Sequence, residues 1–232
     1  MLEPQASAPE TVGDRVRQHI LDVAEAQFAE RGFFGASVRD VTDAAGVRLA
    51  AINYHFETKE ELFRSVLLRR AEELGAERLQ RLEGVATSGS KARRVRSIVE
   101  AFVHPVLSRA LGNDQGWRNY FALVAQIAST RMWVLTLVAE DFNRTAMEFV
   151  GAFAKVFPRA SKRKLHDAYQ LMLSGTLYSF SNNGRLESLT RGDLRSDEYQ
   201  VMCDDLVDFT SAGVIAICAR TRGRDPGTRR GR

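Results

Sequence analysis

Five side chains in one short run, Arg48, Leu49, Ala50, Ala51 and Asn53, have the chemistry to read base-pair edges if a helix presents them together. An arginine fork matches the two acceptors of guanine, an asparagine amide matches adenine, and alanine methyls suit the thymine methyl. That chemistry requires a helix end inside a groove, so the flanking elements must supply the geometry. Ser37 is a good N-cap for a preceding helix, with Asp40 placed three residues on to return the bond. Val38, Val41 and Ala45 share one face of that helix at spacings of three and four. Gly46 ends it, because glycine tolerates the left-handed backbone of a sharp turn. Val47 plugs the angle, and a second short helix follows from about Leu49 to Phe56, with Ile52 and Phe56 in the core. Thr58 and Glu61 then form a strong capping box for a long third helix. Helix, four-residue turn with glycine, helix is the geometry that places a second helix in the DNA major groove.

The run Arg39-Asp40-Val41, Ala45-Gly46-Val47, Ile52-Asn53-Tyr54-His55-Phe56 and Lys59-Glu60-Glu61-Leu62 resembles the DNA-binding domain of the TetR family of bacterial repressors over residues 14 to 64. The resemblance implies that Tyr54, His55 and Lys59 bind the phosphate backbone, Lys59 from a helix N-terminus that itself favours anions. Arg15 and Arg17 at the start of the first helix, and Arg39 early in the second, join them as phosphate candidates, with the cap residue Ser37 beside them. Arg48 departs from the small or hydroxyl residue common at its position in related sequences, so base reading and phosphate gripping both stay open for it. An αα-hairpin that never meets DNA is the plainer reading of the same spacing.

Of the 232 residues 44% are hydrophobic, enough for a real core in one or two domains. The acidic N-terminal stretch lacks an apolar centre and no run of about eighteen apolar residues occurs, so a cytoplasmic protein is expected, neither secreted nor membrane-spanning. Cys203 and Cys218 fall on one helix about 22 Å apart at ~1.5 Å per residue, too far to pair, which suits a reducing compartment. The formal charge is +4, but residues 220–232 hold six arginines against one aspartate and leave the remainder at −1. Basicity therefore belongs to the tail, and a case for DNA rests on individual charges in the helix-turn-helix.

The expected fold is all-α: an N-terminal three-helix head joined by a long helix to a C-terminal helical body for effector binding and dimerisation. The expected boundaries are a disordered N-terminus at 1–12, a helix-turn-helix domain at 13–60, the body at 61–220 and a basic disordered tail at 221–232. The first helix runs to about Arg31, burying Ile20, Val23, Ala24 and Phe28, and Gly32 stops it. The long helix from Thr58 to about Leu82 turns Leu62, Phe63, Val66, Leu67 and Leu74 inward. Its charged remainder, including Arg69, Arg70, Glu73, Glu77 and Arg78, reads as a solvated face. It is also the expected sole rigid link between head and body. Further on, His104-Pro105 should kink a helix that carries Val95 to Val103. Helices follow from Trp117 to about Ser129, from about Met132 to Phe157 after a break at Ser129-Thr130-Arg131, and over Lys162–Asn183 and Ser196–Arg220.

No HExxH, G-x-S-x-G, Walker loop or GxGxxG is present, and the four histidines are scattered, so neither an enzyme nor a metal or cofactor site is expected. The body is rich in aromatic and amide residues. Trp117, Tyr120, Phe121, Gln126, Trp133, Phe142, Asn143, Tyr169 and Tyr178, with Leu173 in line with Tyr169, suit as a group an apolar pocket with a few polar groups, although each alone reads better as core. The family resemblance places an inducer there. The segments WRNY and SNNGRLESL are similar to regulators of fatty-acid or acyl-CoA metabolism, which implies an acyl-CoA, a fatty acid or an aromatic compound. In that family the last two helices pair with their copies, which assigns Leu165, Met172, Phe180, Leu206, Phe209, Gly213 and Ile217 to a dimer contact. The alternative is that both stripes face only their own core. These readings imply a repressor that binds a palindromic double-stranded operator as a homodimer and is released by a small hydrophobic effector. An architectural DNA-binding protein without effector, and a helical carrier or enzyme with an unused head, are the alternatives.

Overall fold

A computed structural model describes residues 11–128 and 133–220, the side chains of residues 133–141 excepted. Every regular element among the described residues is helical. The expectations placed on the N-terminal arm before residue 11, on the break at Ser129-Thr130-Arg131 and on the tail at 221–232 lie outside the described residues.

Three helices build the head. In α1 (Val12–Gly35) the Thr11 hydroxyl accepts the Asp14 N–H while the Asp14 carboxylate takes the Thr11 N–H, so Thr11 and Val12 belong to the helix and its cap rather than to a disordered arm. Gly32 leaves helical geometry at φ 69°, and Phe33 folds back against Phe28. The helix α2 (Val38–Ala45) has a complete reciprocal box between Ser37 and Asp40, and Gly46 ends it at φ 64°. The third, α3 (Leu49–His55), follows directly. His19 on α1 bonds the Ala45 carbonyl at 3.0 Å, which satisfies one of the groups that the end of α2 leaves open.

The long α4 (Lys59–Glu83) starts under Thr58, which accepts the Glu61 N–H at 3.1 Å. The exposed Glu61 side chain does not return the bond, so the box read as the stronger one is only half made. The inner face of α4 buries Leu62, Phe63, Val66 and Leu67 in the head and Leu74 farther along.

The body comprises α5 (Lys91–Ala110), α6 (Gln115–Ala128), α7 (Trp133–Val156), α8 (Lys162–Ser179), α9 (Arg185–Thr190) and α10 (Tyr199–Ala219). Pro105 removes one backbone bond inside α5 but does not end it, because Phe102, Val103, Val106 and Leu107 around it are all buried. The short α9 was not foreseen. It lies in the stretch left between the expected helix ends at Asn183 and Ser196, and Glu187 within it takes the Ser196 hydroxyl at 2.6 Å, pinning the approach to α10. The helix α10 packs on α5 and α8, α4 on α5 and α7, and α1 on α6. One continuous core runs from Phe28 and Phe63 to Phe102, Phe149 and Phe153. No helix among the described residues is long and apolar enough to cross a membrane.

Candidate nucleic-acid interface and body cavity

The helix α3 buries Ile52 and presents Leu49, Ala50, Asn53 and Tyr54 to solvent, with Tyr54 84% exposed. These positions are spaced three and four apart, so one outward face carries all of them. Arg48 is the exposed N-cap of α3, and its side chain caps nothing. Ala51 and His55 are half-buried on the flanks, the imidazole packed edge-on to Tyr54 at 5.0 Å. Two cations are ordered by aromatic faces that leave their charge intact: Lys59 Nζ lies 4.5 Å from the Phe33 ring centre, and the Arg17 guanidinium 5.2 Å from that of Phe56. Arg15 and Arg39 are exposed. Ser37 serves first as a cap, its hydroxyl donating to Asp40 at 2.6 Å. That hydroxyl and the Ser37 N–H hold the Asp40 carboxyl below its ordinary value.

Head and body meet at a charged junction that sequence spacing hid. Glu25 on α1 is 1% exposed, and its carboxylate accepts from Arg69 at 2.9 Å and Arg70 at 3.1 Å. Arg69 also reaches Asp22 at 2.7 Å, and Arg70 reaches Asp114 at 2.8 Å. Burial opposes the charge on Asp114, but the Arg70 guanidinium and the Gly116 N–H outweigh it and hold the carboxyl below its ordinary range. Gly116 is required by this approach, since a Cβ there would stand 1.9 Å from Arg70 Nη2 and 2.6 Å from Glu25 Oε1. The Trp117 ring lies under the guanidinium of Arg70 at 4.8 Å and that of Arg109 at 4.7 Å. Gln126 donates to the Ala29 carbonyl at 2.9 Å. Trp117 and Gln126, expected at the effector pocket, thus sit at the seam between α6 and the head. The expectation that α4 alone links the two parts is corrected too, because α6 packs directly on α1.

Between α4, α6, α7 and α8 lies a cavity of about 340 Å³. Phe121, Phe142, Tyr169 and Leu173 line it, as the aromatic pattern suggested. Tyr178 does not, being exposed on the outside of α8, and the side chain of Trp133 lies outside the described residues. Tyr120 and Asn143 from the same aromatic and amide group line it too, whereas the sequence reading missed Arg78 and Thr176 on the cavity wall. Arg78 was placed on a solvated face, yet it follows Leu74 by four residues and so shares its inward face. Its charge hid that signal.

The dimer stripe needs a similar correction. Met172 is 0% exposed, Leu165 and Leu206 are buried, and Phe180 lines the cavity, so all four serve their own protomer. Gly213 and Ile217 are half-buried. Phe209, 80% exposed, does face outward, together with Leu171 and Tyr178 on α8 and Val201 on α10. The strongest apolar positions of these helices go to their own core, and a weaker second stripe stays exposed.

A helix-turn-helix head with an outward recognition helix, seated on a helical body with its own cavity, defines the class of two-part DNA-binding transcriptional regulators. Residues 20–66 match the family described as bacterial regulatory proteins, tetR family, and residues 100–213 match the tetracyclin repressor-like, C-terminal domain. The chain belongs to the TetR family of transcriptional regulators. It is similar to the HTH-type transcriptional repressor KstR2 of Rhodococcus jostii (strain RHA1), with 41% identity over 51 residues, 22% of this chain and 25% of that protein. It is also similar to the transcriptional activator FasR of Mycolicibacterium smegmatis, with 29% identity over 116 residues, 50% of this chain and 52% of that protein. The chain thus spans from a quarter to about half the length of these curated relatives. Among solved structures, Salmonella enterica GusR aligns at a TM-score of 0.60 with 17% identity, covering 90% of this chain and 98% of that one. A tetR-family regulatory protein from Rhodococcus RHA1 aligns at 0.62 with 14% identity, covering 86% and 97%. At such identities these two share the fold alone.

Proposed function

We propose that the protein is a cytoplasmic repressor that binds an inverted-repeat operator as a homodimer and is released when a small, largely apolar effector enters the body cavity. The observation that carries this reading is the course of α4. It begins at Lys59 beside the recognition helix and, unbroken, supplies Ala71, Leu74, Gly75 and Arg78 to the cavity wall. A ligand that wedges the cavity open must move this wall, and the same rigid rod carries the displacement to the head. The α6 helix, with Phe121 on the cavity and Gln126 on Ala29, offers a second route in the same direction. The ligand shifts the equilibrium only by its difference in affinity for the two states, and operator DNA must weaken the ligand by the same factor.

The outer faces of α8 and α10, with Leu171, Tyr178, Val201 and Phe209, suit a second copy of the chain. A two-fold pair would set two recognition helices about 34 Å apart. Selection from a random duplex library is therefore expected to recover inverted repeats with half-sites one turn apart. Recovery of single asymmetric half-sites at full affinity would count against the dimer. Within the site, Arg48→Ala is expected to cost about 1–3 kcal/mol and relax the preference at one base position. Lys59→Ala should instead weaken all sequences alike and lower the salt slope by about one. Identical behaviour of the two variants across operator sequences would sink this division of labour.

A further inference from the structure

One wall of the cavity carries a cation. Arg78 lines the cavity, donates through Nε to the Phe102 carbonyl at 2.9 Å and stacks its guanidinium 3.7 Å from the Phe102 ring centre. Among the described residues no carboxylate pairs with it. Glu77, its neighbour in sequence, is taken by Arg81 at 2.8 Å and by Arg109. Neither terminal nitrogen of Arg78 has a protein acceptor among the described residues. The phenols of Tyr120 and Tyr169 line the same cavity and are close enough to Arg78 to feel its charge. The rest of the wall is mostly apolar, with Leu74, Val106, Phe121 and Leu173, interrupted by Asn143, Thr145, Gln170 and Thr176.

We propose that the cavity selects amphiphiles with one carboxylate, the carboxylate held by the Arg78 fork and the Tyr120 and Tyr169 hydroxyls and the apolar remainder lying against the surrounding side chains. This rests on the cavity being the effector site and names the chemistry it takes. A buried charge without a counter-ion is costly, and a protein relieves it by pairing, by hydrogen bonding or by giving up the proton. Arg78 is half-buried on the cavity wall, and desolvation there pushes its guanidinium down to about 10. A carboxylate supplies a counter-ion with two parallel bonds, and an arginine fork fits that geometry where a lysine would not. The tyrosines add neutral donors. Burial raises the pKa of both, so they keep their protons and can donate.

The test is calorimetry on the full chain with dodecanoate and 4-phenylbutanoate as carboxylate probes and 1-dodecanol as the neutral counterpart, repeated as release of a selected operator duplex. The two acids distinguish an aliphatic from an aromatic body. At least one of them is expected to bind about tenfold or more tighter than the alcohol, since hydrogen bonds to a buried charge are the strong ones. Arg78→Met should erase that preference while keeping the alcohol and leaving the melting temperature equal or higher. Arg78→Lys should retain part of the preference, and Tyr169→Phe should reduce it. Equal binding of acid and alcohol by the natural protein, binding of neither acid, or an acid affinity unchanged in Arg78→Met would each overturn the carboxylate site. If an acid binds through Arg78 yet leaves the operator bound, the site stands and the effector reading falls. If the alcohol releases the operator as well as the acids do, the effector reading stands and the carboxylate site falls.

Discussion

Glu25→Gln is expected to be among the most damaging single-atom changes in the chain, lowering stability by about 3 kcal/mol. The carboxylate is 1% exposed and sits between Arg69 and Arg70. A neutral amide removes the anion but leaves both guanidiniums in place, and both are largely out of water, with side-chain exposures of 19% and 13%. The loss belongs at the low end for a broken buried pair, because Asp22 and Asp114 remain as partial partners. For a chain of this size the change corresponds to about 6–12 °C in Tm. The junction also joins α1, α4 and α6, so operator release by ligand should weaken in the variant even where operator binding survives. A thermal melt beside a release assay measures both effects. An unchanged Tm would show that the Glu25 network contributes little net stability.

The second large effect is expected at Phe63→Ala, at about 3–5 kcal/mol. Phe63 is 1% exposed, with Phe28 and Phe33 edge-on at 4.9 Å each. It rises from α4 into the centre of the three-helix head, where Phe28 and Phe33 would flank the cavity left by its removal. Phe33 in turn carries Lys59 on its other contacts, so the damage should reach a phosphate-binding candidate. Operator affinity and Tm should therefore fall together in Phe63→Ala. Phe63→Leu, which refills most of the space, should recover the larger part of both. Full operator affinity in Phe63→Ala at a lowered Tm would show that the head is held by its caps and turn rather than by this aromatic cluster.

The head was legible because its signals are local. The Ser37 cap, the Gly46 turn and the Ile52 and Phe56 spacing are each set by the backbone within a few residues, and the structure has each where the spacing puts it. The same holds for Gly32 at the end of the first helix proper. The body was legible in its helices but not in the faces they use. Pro105 was expected to interrupt α5, and packing on several sides kept the helix whole. Met172 and Phe209 both looked like partner-facing residues, and only three-dimensional packing separates the one that is 0% exposed from the one that is 80% exposed.

By itself, then, the sequence determined the all-helical class, the helix-turn-helix, its family and the outward set on α3 apart from the half-buried Ala51, because periodicity, caps and turn glycines act over one or two helical turns. What only the tertiary structure decided is where charges that read as surface end up. Arg70 meets Glu25 across 45 positions and Asp114 across 44, and no periodicity encodes such a pairing. Arg78 carries a charge, and a residue-by-residue reading sends charge to water. The structure instead sets it beside Phe102 on the cavity wall, because helices that close around an apolar space bury whatever their inward positions carry.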